Sequence, residues 1–281
     1  MTLLDFSVIV PTYRRRDRLH AALGAFDRLD WPNERWELIV VDDGSPPGTE
    51  PVFEQRPNRR LIRQEWRGPA AARNRGAEDA RGRFLAFTDD DCEPEPGWLS
   101  AWAEGFERTP SALLGGRTHN ALPDNPYSTA SEQLLGYIYL YYNHQRPLFF
   151  ASNNIALPTK EFRALGGFDT RFPRAAGEDR DFCRRWKSAG RELCEIPNAV
   201  VRHSHPLTLR TFLRQHYNYG RGAALFHQRI AKVPEPPSFY MNLLWHPMQV
   251  EDGMRRWRQV CLMIASQLAV ASGFLAEALR R

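Results

Sequence analysis

Four short apolar runs set the frame of this chain: FSVIV at 6–10, WELIVV at 36–41, RRLIRQ at 59–64 and RFLAFT at 83–88. Two stretches with a different period separate them. RRRDRLHAALGAFDRL, between the first and second runs, places Leu19, Ala22, Leu23, Phe26 and Leu29 at helical spacing. GPAAARNRGAEDARG, between the third and fourth, is alanine-rich and closes on glycine, as a second helix would. Strands alternating with helices at this spacing predict an α/β, Rossmann-like fold whose sheet carries helices on its faces.

Open α/β sheets bind ligands at the C-terminal ends of their strands, and the polar clusters of this chain fall there. PTYRRR follows the first strand, DDGS at 42–45 the second, and DDDC at 89–92 the fourth. No G-x-G-x-x-G follows the first strand, and GxxxxGK[ST] occurs nowhere, so neither a Rossmann nor a P-loop cradle is available for phosphate. A cation is the remaining means of neutralising one. Oxygen-rich clusters hold hard divalent ions, which take one or two carboxylates and complete their shell with phosphate oxygens and water. Asp89, Asp90 and Asp91 suit that task. They would also suit a solvated turn capping the next helix, but their register with two other polar clusters favours a site.

A length of 281 residues allows one large domain, or one domain with an extension. A net charge of +5 is too small to demand nucleic acid, and all but three of the 38 basic residues are arginine. The cysteines at 92, 183, 194 and 261 show no metal-binding spacing and read as the reduced thiols of a cytoplasmic protein. MTLLDFSVIVPTYRRR has no basic segment before its apolar run and reads as a first strand rather than a signal peptide.

Beyond residue 120 the pattern is less regular. STASEQLLGYIYLYYN at 128–143 predicts an aromatic-rich helix opened by Ser128 or Ser131, and PLFFASNNIALP a strand-like stretch. KEFRALGGFD is a short helix stopped by Gly166 and Gly167, EDRDFCRRWKSAG a helix closed by Gly190, CEIPNAVVRHSHP a strand, and LRTFLRQHYNYGRG a helix. VPEPPS at 233–238 marks a boundary. The tyrosines 137, 139, 141 and 142, with Phe149 and Phe150, form a stripe better suited to core than to sugar stacking. Trp98 is expected to pack the helix after the triplet.

SVIVPTYRR, VVDDGS, AARNRGA, FLAFTDDDCEPEPGWL, LGGFD, GEDRDFCRRW and VVRHSH occur in the order and spacing of glycosyltransferase family 2, and over about residues 5 to 225 the chain resembles that family. The resemblance implies a GT-A fold: a mixed sheet flanked by helices, with residues 1–232 as the transferase domain. Within it, 1–118 would form the nucleotide-sugar half and 119–232 the acceptor half, with 233–281 as a helical extension. Pro11, Thr12, Tyr13 and Arg15 would line the nucleotide pocket, Asp43 would take the uracil edge with Asp42 beside it, and Arg73 and Asn74 would complete that side. For Arg73 a surface place on a helix is an equal alternative. Asp91 would be the direct ligand of Mn2+ or Mg2+, Asp89 would stand near the ribose or the metal, and Asp90 would be the spacer on the donor side. His203 would add a further metal ligand, with His205 as its competitor.

By the same resemblance Asp179 would be the catalytic base, with Glu178 orienting it or the acceptor and Asp181 as a competitor. Asn154, next to Asn153, would contact the donor sugar or the acceptor. The reaction so implied is inverting transfer of a sugar from a nucleoside-diphosphate donor, usually UDP-linked, to a hydroxyl of a glycan, a lipid-linked or a small-molecule acceptor. A non-catalytic nucleotide-sugar or glycan-binding module would be expected to lack Asp91 or Asp179, and a nucleotidyltransferase to carry a glycine-rich loop after the first strand. The segment from Val260 to Ala278 is apolar but interrupted by Ser266, Gln267, Ser272, Gly273 and Glu277, short of a confident membrane span. Packing on the domain or on a second copy as a homodimer is its first expectation. Association with the inner face of a membrane through flanking arginines is the second.

Overall fold

The computed structural model describes residues 4–143, 148–172, 174, 176–230 and 235–280. β1 (Phe6–Thr12) and β2 (Trp36–Asp42) are buried along their whole length, so their sequences run apolar instead of alternating. α1 (Arg16–Phe26) joins them, and β3 (Arg59–Arg63), α2 (Pro69–Glu78) and β4 (Phe84–Thr88) continue the alternation. β1 pairs in parallel with β2 and β4, and β2 with β3. The remaining strands are β5 (Cys92–Pro94), β6 (Leu113–Asn120), β7 (Asn154–Pro158) and β8 (Leu193–His203), with α3 (Trp98–Arg108) between β5 and β6. Among the described residues, eight strands form one sheet in the order β3-β2-β1-β4-β7-β6-β8-β5. Its second half turns antiparallel where β4 meets β7, β7 meets β6 and β8 meets β5.

Successive side chains of β1 point to opposite faces. Val8 and Val10 enter a core with Leu19 and Phe26 of α1 and Trp98 and Trp102 of α3. Ile9 faces the other way, under α2. A Cβ at Gly76 would strike the side chains of Ile9 and Val41, so this helix lies close because residue 76 is glycine. On that second face Phe87 meets Phe162 of α5 (Thr159–Ala164), Phe168, and through them Phe182 of α6 (Glu178–Ser188), with Phe168 and Phe182 5.0 Å apart between ring centroids.

The chain divides into two compact units. One gathers Met1–His119, Arg146–Pro173 and Glu178–Ser204 and contains the sheet with α1–α3, α5 and α6. The other gathers Asn120–Gln145, Arg174–Gly177 and His205–Arg281 and is built from α4 (Pro126–Asn143), α7 (Leu209–Ile230), α8 (Pro237–Val250) and α9 (Gly253–Ala278).

Several expectations are corrected. Neither Ser128 nor Ser131 opens α4. Asn125 does, its Oδ1 accepting the N–H groups of Tyr127 and Ser128 at 3.0 Å each, and Ser128 is buried inside the first turn. Among the described residues of the 147–158 stretch only Asn154–Pro158 is strand. Residues 151–154 turn, and Phe149 and Phe150 are apolar because they are buried, Phe150 against Gly115. Part of the 233–238 boundary lies outside the described residues. The last segment forms a helix of 26 residues, long and apolar enough by length and composition to cross a membrane, because most of its interruptions are uncharged. In its unit it packs on α7, α8 and α4. The tyrosine stripe follows the core expectation at Tyr137, buried with Phe239, Leu243 and Met263, while Tyr141 is exposed. Trp98 is buried as expected.

Candidate active site

The register of the parallel strands sets Thr12 beside Asp42 and Asp42 beside Arg63, so the loops after β1 and β2 open on one edge of the sheet. The loop after β4, with the triplet, joins them there through side-chain bonds. Asp90 accepts from Thr12 Oγ1 at 2.7 Å and from Arg15 at 3.0 Å. Asp91 accepts from Arg15 at 3.1 Å and from Arg18 at 3.0 Å, and its other oxygen lies 3.2 Å from His203 Nε2. Asp89 turns away to Arg73, at 2.6 Å. Burial, opposed by Arg15 and reinforced by Asp91, pushes Asp90 up to about 6. Arg15, whose charge burial alone would disfavour, is held above its ordinary value by Asp90 and Asp91.

β5 and β8 place Cys92 opposite His203, and the ligating atoms of Asp91, Cys92 and His203 all lie within 4.8 Å of one another. A carboxylate and an imidazole suit a divalent cation. Burial and the neighbouring aspartates push the Cys92 thiol well above its usual range. Two guanidinium groups, from Arg15 and Arg18, and the imidazole of His203 converge on Asp91. The residues present fit a divalent cation, which Asp91 and His203 could hold. His205 lies beyond the end of β8, and Ser128 donates to its carbonyl.

Arg73 is buried, and its position in the helix decides what it does. NH1 reaches Glu178 Oε1 at 3.2 Å while NH2 reaches Asp89, so one guanidinium ties the triplet to the head of α6. Its charge, which burial disfavours, is retained because Asp89 and Glu178 flank it. Asp179 follows Glu178 in the first turn, where carboxylates are favoured by the helix dipole. Its Oδ1 accepts the N–H of Arg180 at 2.8 Å. Burial nevertheless holds it above the ordinary aspartate range, against the pull of that N–H and of Arg73. Asp181 is committed elsewhere, paired with Arg184 and Arg185 at 3.2 and 2.7 Å.

Other predicted residues are engaged in holding the frame. Asp43 accepts from Gln64 Nε2 at 2.7 Å, Arg67 N at 2.9 Å and Gly68 N at 2.8 Å, clamping the loop that leads into α2. Asp42 accepts the N–H of Ser45 at 3.1 Å, across the turn made by Gly44, whose φ of 79° and close approach to Trp66 exclude a side chain. Asn74 exchanges two hydrogen bonds with the backbone of Phe168, at 2.8 and 2.9 Å. Asn154 accepts from Trp98 Nε1 at 2.8 Å and donates to the carbonyls of Arg117 and Ala199, both at 2.9 Å. Asn153, buried beside it, keeps an Oδ1 that no described donor reaches. Pro11 is buried, and Tyr13 lies under the Arg14 guanidinium at 5.0 Å. Arg14 has φ of 57°, rare for a residue with a side chain, and its N–H reaches Ser45 Oγ at 2.9 Å, linking the loops after β1 and β2. Sequence reasoning missed Arg18 and Gln64. Arg18 was findable: it stands in the first turn of the helix that follows Arg15, three residues on.

Residues 7–166 match the model of Glycosyl transferase family 2, and residues 117–276 that of Glycosyl transferase family group 2. The chain is 29% identical over 278 residues to a pre-mycofactocin glycosyltransferase of Mycobacterium tuberculosis, which takes in 95% of this chain and 57% of that one. It is 34% identical over 137 residues to glycosyltransferase AglE of Haloferax volcanii, covering 47% of this chain and 44% of the relative. The chain spans about half the length of the curated relatives it matches. In fold it is similar to the mannosyltransferase PcManGT from Pyrobaculum calidifontis, at a TM-score of 0.63, 16% identity, and 95% and 87% coverage of the two chains. GalNAc-T7 follows at a TM-score of 0.55, 14% identity, and 80% and 50% coverage. These likenesses establish the GT-A fold of the sheet and its helices. Because the first family model alone takes in more than half of its length, this chain belongs to glycosyltransferase family 2.

Proposed function

We propose that the protein transfers a sugar from a nucleoside-diphosphate donor to an acceptor hydroxyl, with inversion at the anomeric carbon and with Mn2+ or Mg2+ held by Asp91 and His203. The observation that carries this reading is the buried Arg73, which ties Asp89 of the triplet to Glu178 of α6 and so couples two groups of acids separated by some ninety residues. A structural neighbour described in complex with GDP-Man and Mn2+, and another with UDP, GalNAc and Mn2+, support a nucleotide-sugar donor and a divalent cation.

Asp179 accepts the proton of the acceptor hydroxyl as its oxygen bonds to the anomeric carbon and the bond to the diphosphate breaks. A raised pKa makes this carboxylate a stronger base than a solvated one. Glu178, held by Arg73, positions the turn from which Asp179 projects. Thr12 and Arg15 fix Asp90 so that Asp89 and Asp91 diverge, one toward α2 and the other toward β8. The cation, when bound, supplies Lewis-acid stabilisation of the departing diphosphate. No nucleophilic carboxylate is required, unlike the retaining pair of a glycosidase. Pro11, Tyr13, Asp42 and Asp43 border the nucleoside. Asp43 Oδ1 already accepts from Gln64 and Arg67, while Oδ2 accepts from Gly68 N and can take a second hydrogen bond from a base edge.

The test is a calorimetric titration of the protein with UDP, GDP and dTDP, each with and without Mn2+. Binding that requires the metal and prefers one base supports the reading and names the donor class. Folded protein that binds none of the three, with or without metal, overturns it. The acceptor is then sought among hydroxyl-bearing glycans and lipid-linked sugars.

A further inference from the structure

The net charge of the chain is not shared evenly between its units. The helical unit carries eleven Lys and Arg against six Asp and Glu, which accounts for the whole of the +5, so the sheet unit is neutral. α7 contains four arginines and no acid, and α8 has no charged residue at all. On α9 the inner face is small and polar, with Gln259, Ser266 and Gly273 buried beside Met263. Its outer face is the apolar one. Met254, Trp257, Ile264, Leu268, Leu275 and Leu279 are all exposed, Met254 at 82%, Leu268 at 66% and Leu275 at 60%. Cys261 and Ala271, also exposed, fill the two longer gaps and complete an alternation of three and four residues along one side of the helix. A soluble surface helix has this pattern the other way round.

We propose that this face of α9 docks on an anionic lipid bilayer, with the apolar row in the interfacial region and arginines against the phosphates. Exposed Arg255 and Arg258 stand at the start of the row and Arg280 at its end, and the only acid within α9, Glu277, is paired to Arg221 at 2.5 Å. Beside the row, α7 and α9 enclose an open groove of about 540 Å³ lined by Leu213, Tyr217, Ala265, Leu268 and Ala269, with Arg214 at its side. An apolar groove next to a guanidinium matches an acyl chain and its phosphate. Charge favours this occupant over a second copy of the chain: a coiled-coil seam is specified by charges of both signs on its flanks, and here the exposed flanking charges, Arg255, Arg258 and Arg280 against Asp252, are mostly basic. A span is opposed by the packing of α9. Cβ atoms at Gly220 and Gly273 would strike the carbonyls of Val270 and Tyr217, so the backbones of α7 and α9 touch, and withdrawing α9 would strip α7 of its partner. The proposal is independent of the catalytic reading.

The experiment is flotation of the full chain with vesicles of phosphatidylcholine alone and of phosphatidylcholine mixed with phosphatidylglycerol, at low and high salt. Binding is expected with phosphatidylglycerol, lost without it and weakened by salt. Leu268→Glu with Leu275→Glu should weaken it more than about tenfold, and Arg255→Gln with Arg258→Gln by about tenfold. All four positions are exposed, so the folds of the variants should survive, and circular dichroism checks this. Failure to float with the anionic vesicles overturns the proposal, as does binding that ignores both variants. A concentration-dependent dimer that Leu268→Glu dissolves, without lipid binding, would assign the face to a second copy instead.

Discussion

Asp91 shows how one residue gathers the meaning of its neighbours. Its carboxylate draws the guanidinium groups of Arg15 and Arg18 and the imidazole of His203, and a divalent ion could take the place of the two guanidinium charges. Arg18 is then a competitor of the ion. Arg18→Ala is expected to tighten Mn2+ binding without nucleotide by up to about fivefold, the worth of one part-exposed ion pair, as calorimetry with the metal alone would measure. Weaker binding would make Arg18 a support of the site instead. Asp179 makes the complementary case. Asp179→Asn should leave nucleotide affinity unchanged and lower turnover by roughly 10²–10⁴-fold, and near-normal turnover would remove it as the base. In the native chain the rate should fall as pH drops through the raised pKa of Asp179, because only the ionised carboxylate accepts a proton.

At the scale of elements, β1, β2 and β4 and the helices between them were legible because each is dominated by one period. Burial on both faces gives a continuous apolar run, and burial of one helix face gives the three-and-four spacing. β5 and β6 were not anticipated. β5 has three residues, too few to show a period, and β6 is interrupted by Gly115 and Gly116, whose missing side chains make room for the Phe150 ring and for Asn154. The start of α4 was misplaced because several residues there can cap, and only the hydrogen bonds of Asn125 decide among them. Close packing of α7 on α9 rests on two glycines. Gly273→Leu is expected to destabilise the helical unit by about 3 kcal/mol through overpacking, seen as a lower urea midpoint. An unchanged midpoint would mean the helices can part without cost.

For the molecule as a whole, the helical unit also holds a titratable group out of water. His216 is fully buried against Phe212, with Ser131 Oγ 3.2 Å from its Nε2, and burial lowers its pKa from 6.5 to about 4. The unfolded chain takes up a proton near 6.5, the folded one only near 4. Stability from this group is therefore complete above 6.5 and is lost as pH falls from there to about 4, by on the order of 3 kcal/mol. His216→Phe should flatten that part of the stability curve relative to the native chain in urea titrations across the window. Identical slopes would show that His216 opens to water before the unit unfolds.

What the sequence by itself determined is the order of the elements and the edge at which the acids gather, since periodicity is local and strand ends are marked by the polar residues that follow them. Family resemblance was readable for the same reason: its motifs are short and lie at those ends. The partners of each side chain were decided only by tertiary structure. Whether Arg73 lay on a surface or bridged Asp89 to Glu178, whether Asn154 faced a ligand or locked Trp98 to two carbonyls, and which face of α9 met its neighbours all depend on contacts between distant residues. Hydrogen bonds and burial are settled between such residues in three dimensions, and no local pattern encodes them.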